Sequence, residues 1–416
     1  MKKYNLLTKT MVAGLLAATA LWSCSEDDPA ALTLVSLTAE GIDLNGATTP
    51  SNVPTDAVII AEFSTEVDPA SAAGAISLLR DYDDTNVDLD IQVSGKTVTI
   101  TPETSLTTGA LYALNVTTGL KSTGNQPATN VSRNFNTEGT FAVPGAIAHW
   151  TFEDSPNDIF GTFNAAASGV VDITYAASRR AEAGKAASFN GTTSIIEIPN
   201  GDDLMNNGDW VVSFWVKPSS ANSKESGHFV FGLSGSKGFQ YEIFGNYMGA
   251  KLAASYAHTN TPPGTTSEDL WCDGEGNLGW QGWTFSKDFT GSGGLDEVIK
   301  DKWVHIVCMY NSTTRVGVMY INGEKVKEQD FDLWPNGDNK RFVTGLQYSG
   351  QSPNFTNDLA FGFICSRAST EFDAESWGNY ASPTSNHFQG LLDDVIIYHK
   401  LLTPAEITLM YNSGKP

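Results

Sequence analysis

The 416 residues are more than one ordinary domain holds and suggest two or three, and a hydrophobic content of 41% allows a sizeable core. A formal charge of −22 speaks against nucleic acid, because phosphate backbones are held by basic surface. It equally speaks against electrostatic adhesion to anionic lipid, so any membrane attachment has to come from elsewhere.

The chain begins with Lys2, Lys3 and Lys9, then runs apolar or small from 11 to 22 apart from Thr19. A basic start followed by a short apolar stretch reads as a secretory signal, too short to span a bilayer, which takes ~20 apolar residues. Leu21-Trp22-Ser23-Cys24 then meets Ser25-Glu26-Asp27-Asp28-Pro29. On residues alone, a plain secretory signal with an incidental Cys is the alternative. The Leu-x-Ser-Cys run resembles a bacterial lipobox. That resemblance implies a signal peptide over 1–23, cleavage before Cys24, lipidation of Cys24, and a chain held to the membrane by its acyl anchor alone. Two or more acyl chains anchor stably where one does not. Loss of 1–23 removes three lysines and no acid, taking the charge from −22 to −25. The acidic tether, 24–31, is similar to the export signal of Bacteroidetes surface lipoproteins, which implies the outer membrane and exposure at the cell surface.

From 32 to 139 the chain reads as short strands. An apolar run covers 57–63. Alternation over 89–93 and 97–100, joined through Ser94-Gly95-Lys96, predicts a hairpin. Another strand follows at 111–116, and Phe135 closes the unit. Phe63 and Tyr112 are expected in the core of a small β-sandwich. Phe63-Ser64-Thr65-Glu66-Val67-Asp68-Pro69, Val98-Thr99-Ile100-Thr101-Pro102 and Phe135-Asn136-Thr137 resemble the bacterial Ig-like domain, a resemblance that implies a spacer.

A linker is expected over 139–145, and from 146 the aromatics become dense. Strands are predicted at 148–152, 194–198, 210–218, 303–310, 316–321 and 388–398. Asn322-Gly323 makes a hairpin turn, since both residue types tolerate positive φ. One helix is predicted from 403, with Thr403 as N-cap and Pro404 in the first turn. The phrases GKAASFNGTTSIIEIP, VSFWVKP, KWVHIVCMY, VMYINGEKV and GLLDDVIIYHKLLTPAEI resemble, in that order, the laminin-G-like, concanavalin A-like jelly roll. The resemblance spans 146–413 and implies a two-sheet sandwich that binds glycans and sometimes calcium. The fold class expected is therefore all-β: a small Ig-like sandwich followed by a larger laminin-G-like jelly roll.

Three sets of residues are candidates for chemistry. Calcium needs six to eight oxygens. Asp393 lies in phase with Val395 and Ile397, and a carboxylate facing inward is costly unless paired or metal-bound. In jelly rolls of this kind the first and last strands lie side by side, so Glu153 and Asp393 are the candidate ligands of a structural Ca2+. A backbone hydrogen bond, or a salt bridge to an arginine such as Arg367, is the alternative. The second set is the loop aromatics Trp271, Trp280, Trp283, Trp334, Trp377 and Tyr380, with Arg341. Sugars stack their C–H faces on aromatic rings and give hydroxyls to nearby polar groups, a pattern that suits a carbohydrate site. Long loops that bury their own aromatics are the bland counterpart.

The third set is cysteine. If Cys24 is acylated, Cys272, Cys308 and Cys365 remain, without metal-ligand spacing. An oxidising compartment permits one disulfide, and buried thiols are the other reading. Catalytic motifs were not found. There is no Glu-x-Asp-x-x-Glu strand, no Gly-x-Ser-x-Gly elbow and no His-Glu-x-x-His. Asp393 and Asp394 are adjacent and are expected on opposite faces of a strand. His305 lies in a core strand and reads as structural. The sequence thus points to a surface lipoprotein that binds extracellular glycan without catalysis. A protein-binding adhesin, or a glycoside hydrolase with an unrecognised carboxylate pair, are the alternatives.

Overall fold

A computed structural model describes residues 31–222 and 227–416. The signal peptide, Cys24 and nearly all of the tether lie outside the described residues. Among those described, no helix is long and apolar enough to cross a membrane.

The first domain packs two antiparallel sheets. One runs in the order Ile42–Asp43, Leu34–Ala39, Ile59–Phe63, Thr97–Pro102, Leu89–Ser94; the other in the order Thr85–Val87, Ile76–Arg80, Leu111–Val116, Val131–Asn136. The expected hairpin forms with Gly95 at φ 60. Phe63, Tyr112 and Phe135 fill the core, and the Tyr112 hydroxyl accepts from Thr107 N–H at 2.8 Å, so the buried phenol keeps a partner.

The second domain is a larger sandwich. Its first sheet runs Thr174–Ala177, Lys185–Asn190, Gln389–Tyr398, Trp210–Pro218, Val304–Asn311, Val316–Ile321, Glu324–Asp330, Trp283–Ser286, with Ala148–Trp150 also paired to Gln389–Tyr398. The second runs Val170–Val171, Ile195–Ile198, Leu359–Phe361, His228–Gly232, Phe239–Ile243, Ala250–His258, Gly264–Cys272. Aromatics from facing sheets meet edge to face between them: Phe214 with Phe231 and Tyr241 at 5.0 and 4.8 Å, and Trp150 with Phe361 at 5.0 Å. Such pairs add ~0.5–1.5 kcal/mol each beyond the burial of their area. Asn322 and Gly323 take φ of 54 and 79 at the predicted turn. The C-terminal helix, Pro404–Gly414, starts with a full capping box between Thr403 and Glu406.

Strand Trp210–Pro218 is buried on both faces, which explains its unbroken apolar run. Trp210, Val212, Phe214 and Val216 point into the sandwich. Val211 belongs instead to a second core, with Ile396, Tyr398, Ile407, Met410, and Phe141 and Val143 of the 139–145 segment. That core is continuous with the interior of the first sandwich. Phe141 packs tilted against Tyr82 with ring centroids 4.8 Å apart, and its N–H donates to Ser413 Oγ at 3.0 Å. The spacer expected from family resemblance is thus docked against the outer face of the first sheet. Cys272, Cys308 and Cys365 are buried free thiols, and burial pushes Cys272 up to about 11.

Candidate functional site

The outer face of the second sheet carries a groove. Phe239, Tyr241 and Ile243 point into the core, so Gln240 and Glu242 point out. Leu252 and Ala254 likewise send Lys251 and Ala253 outward, and Leu270 and Cys272 send out Asp269 and Trp271. Phe229 comes from the neighbouring strand. Segment 366–387 folds back over this face, with Trp377 6.0 Å from Phe229 and 5.5 Å from Phe372. The opposite wall is Phe244, braced edge-on by Trp271 at 4.4 Å. The resulting groove encloses about 450 Å³. Its walls are aromatic and its floor carries a few converging polar groups, as small-molecule sites generally do.

Lys251 stands between two carboxylates: its Nζ is 3.0 Å from Asp269 Oδ2 and 3.7 Å from Glu242 Oε2. Gln240 Nε2 donates to Glu242 Oε2 at 3.4 Å. Burial pushes Glu242 up to about 7, with Asp269 adding to the rise and Lys251 opposing it. The folded state therefore holds this proton more tightly than the unfolded chain, whose glutamate titrates near 4.5. The stability Glu242 contributes is full below that value and is lost as pH rises through 7. Between pH 4.5 and 8 the wild type is expected to lose up to ~2 kcal/mol relative to Glu242→Gln. Scanning calorimetry across that range checks this, and parallel profiles for the two proteins would contradict it.

The aromatics expected to hold sugar do not form one site. Trp377 lines the groove, and Trp271 supports it from behind, lying so close over Gly249 that a Cβ there would fall 2.6 Å from its ring. Tyr380 packs on Phe363 at 5.5 Å and its hydroxyl donates to Thr193 O at 2.5 Å. Trp283 lies on an edge strand of the other sheet, with Lys327 Nζ 3.3 Å over its ring. Trp334 is 5% exposed under Lys340, and Arg341 donates to the carbonyls of Asp332 and Trp334. Trp280 is the one tryptophan of the set held largely in solvent, at 54% exposure. Phe229, Gln240, Glu242, Phe244, Lys251 and Asp269 were not singled out from the sequence. The alternation in Phe-Gln-Tyr-Glu-Ile, 239–243, is the signal that marks the outward pair Gln240 and Glu242.

Glu153 and Asp393 have other partners than a metal. The Glu153 carboxylate accepts from Lys185 N–H at 3.0 and 3.1 Å. Asp393 is not in phase with Val395 and Ile397: the pairing with Trp210–Pro218 slips between Ser213 and Trp215, and Asp394 sits at φ 44. This bulge corrects two expectations. It turns Asp393 away from the sandwich core, and it brings Asp393 and Asp394 to one guanidinium instead of opposite faces. Arg179 Nη1 lies 2.5 Å from Asp393 Oδ2 and Nη2 lies 2.5 Å from Asp394 Oδ2. Ser178 Oγ also donates to Asp393, and His149 Nε2 lies 2.9 Å from Asp394 Oδ1. A carboxylate whose lone pairs already face these donors does not fit calcium, and among the described residues no group of three or more His, Cys, Asp or Glu is arranged so that it could hold a metal ion. Arg367, the partner envisaged for Asp393, pairs with Glu197 at 2.6 Å. His305 is buried, with Nε2 2.9 Å from Ser213 Oγ; burial and then the Arg179 charge lower it to about 3, so it stays neutral.

Residues 38–137 match the bacterial Ig-like domain, and residues 190–372 match the concanavalin A-like lectin/glucanases superfamily. No curated protein matches the chain. Among solved structures, the chain is similar to domain 4 of AbnA, a GH43 extracellular arabinanase from Geobacillus stearothermophilus, in complex with arabinotriose. The identity is 20%, the TM-score 0.38, and the match covers 65% of this chain and 98% of that one. It is also similar to the botulinum neurotoxin type G receptor binding domain, at 13% identity and TM-score 0.37, over 64% of this chain and 51% of that one. The serotype D ligand binding domain in complex with N-acetylneuraminic acid is 12% identical with TM-score 0.41, over 64% and 50%. The chain thus spans about half of the two toxin chains.

Proposed function

We propose that this chain, a bacterial Ig-like domain followed by a concanavalin A-like domain, is a surface lipoprotein that binds extracellular carbohydrate in the groove on its second sheet. The observation that carries the reading is the groove itself: Phe229, Phe244, Phe372 and Trp377 around Gln240, Glu242, Lys251 and Asp269. The rings offer faces for sugar C–H groups, and the carboxylates accept hydrogen bonds from sugar hydroxyls. Acylation at Cys24 would hold the protein on the outer membrane, with the Ig-like domain between anchor and groove. Retention of the protein on gels containing individual polysaccharides tests the reading. At least one polymer is expected to retard it, and a chelator to leave that retardation unchanged. No retardation by any polymer would overturn it.

Glycoside hydrolysis is the second reading, favoured by Glu242, a carboxyl raised to about 7 beside Asp269. Binding is placed first because Lys251 occupies the space between these acids, where hydrolysis needs the scissile bond. Release of reducing ends from the retained polymer, absent from Glu242→Gln, would reverse that order.

A further inference from the structure

We infer that the groove selects uncharged glycans and turns away those carrying carboxylate or sulfate groups, an inference that rests on the groove being the glycan site. Among the described residues, the lining holds two carboxylates, Glu242 and Asp269, and a single cation, Lys251. That cation is not available to a ligand acid, since its Nζ lies within 4 Å of both carboxylates. An incoming uronate or sulfate would have to separate Lys251 from Asp269 and would leave a floor carboxylate facing a like charge, in a partly desolvated cleft where screening is weak. A neutral sugar asks for no such exchange. Its hydroxyls both donate and accept, so they suit Asp269 as an ionised acceptor and Glu242 in either protonation state, without giving up the lysine. Gln240 adds an amide beside Glu242 and can serve as donor or acceptor to a hydroxyl. The chain's overall charge of −22 works in the same direction, lowering the local concentration of polyanions around the whole molecule.

The experiment compares retention of the full chain on two sets of gels at low salt. One set contains neutral polymers such as arabinan, galactomannan and β-glucan. The other contains polygalacturonate, alginate and chondroitin sulfate. At least one neutral polymer is expected to bind tenfold or more tightly than every acidic one. The doubly neutralised variant Glu242→Gln/Asp269→Asn, which frees Lys251, is expected to narrow that gap. Acidic polymers bound as tightly as neutral ones, or bound alone, would overturn the inference; loss of that binding in Trp377→Ala would leave the groove standing as the site. Retention by neither set would overturn the groove reading, and this inference with it. Circular dichroism and a thermal melt of each variant separate lost binding from lost fold.

Discussion

Replacing Arg179 with leucine is expected to destabilise the second domain by ~3–5 kcal/mol, the usual cost of removing one partner from a buried ion pair. The side chain is 1% exposed, and each guanidinium nitrogen has a task. Nε donates to the Gly414 carbonyl at 2.7 Å, near the end of the last helix, while Nη1 and Nη2 hold Asp393 and Asp394. The guanidinium also lies 4.6 Å over the Trp215 ring, which stacks in turn on Tyr411 at 5.9 Å. Without Arg179, the buried Asp393 carboxylate and the partly exposed Asp394 carboxylate share one face with no arginine between them. Burial and then the Asp394 charge already push Asp393 up; burial works on Asp394 too, but His149 and Arg179 together hold it below its ordinary value. The loss corresponds to a melting temperature lower by on the order of 10 °C. Calorimetry of Arg179→Leu checks it, and a shift below 2 °C would show that water reaches the pair and that the network is not structural. A triple substitution, Arg179→Leu/Asp393→Asn/Asp394→Asn, is expected to recover part of the loss, because it removes the uncompensated charges along with their partner.

The need for a partner at Asp393 was legible in the sequence; the partner was not. An acid within Leu-Leu-Asp-Asp-Val-Ile-Ile-Tyr has to be neutralised somehow, but strict alternation sends Asp393 to one face and Asp394 to the other. The extra residue that breaks the alternation is set by pairing with Trp215, a contact between positions far apart in the chain. Signals that act over a few residues were read correctly. Asn322-Gly323 needs two positive φ angles and takes them, and Thr403 with Glu406 caps the last helix by bonds spanning one turn. The loop aromatics show the opposite limit. Trp334 and Tyr380 lie in Gly- and Asn-rich segments, as a sugar platform would, yet both are occupied by packing with neighbours that local sequence does not reveal. The groove eluded the sequence for a related reason. Its floor comes from alternate residues of three strands, and its wall comes from a loop more than a hundred residues later.

Trp377→Ala is expected to weaken glycan binding by ~30-fold or more, about 2 kcal/mol, the scale at which a single aromatic anchor dominates an interface. Trp280→Ala is expected to change it by less than threefold. The contrast follows from position. Trp377 forms a groove wall with Phe229 and Phe372, opposite Phe244, so a sugar ring lying along the floor meets its face. Trp280 is more exposed, but it belongs to the loop that leads into edge strand Trp283–Ser286 of the other sheet, and no groove residue accompanies it. Exposure alone would choose Trp280; convergence of rings with acceptors chooses Trp377. Titration of both variants against the polymer that retains the wild type decides between them. Trp377 also packs on Phe372 and Phe229, so its removal is expected to loosen segment 366–387, and the melting temperature should be read alongside the affinity. Phe244→Ala, on the opposite wall, offers a second measure that does not touch that segment, and it is expected to cost at least tenfold. If Trp280→Ala abolishes binding while both wall variants keep it, the glycan site lies on the rim of the first sheet, and the groove has some other purpose.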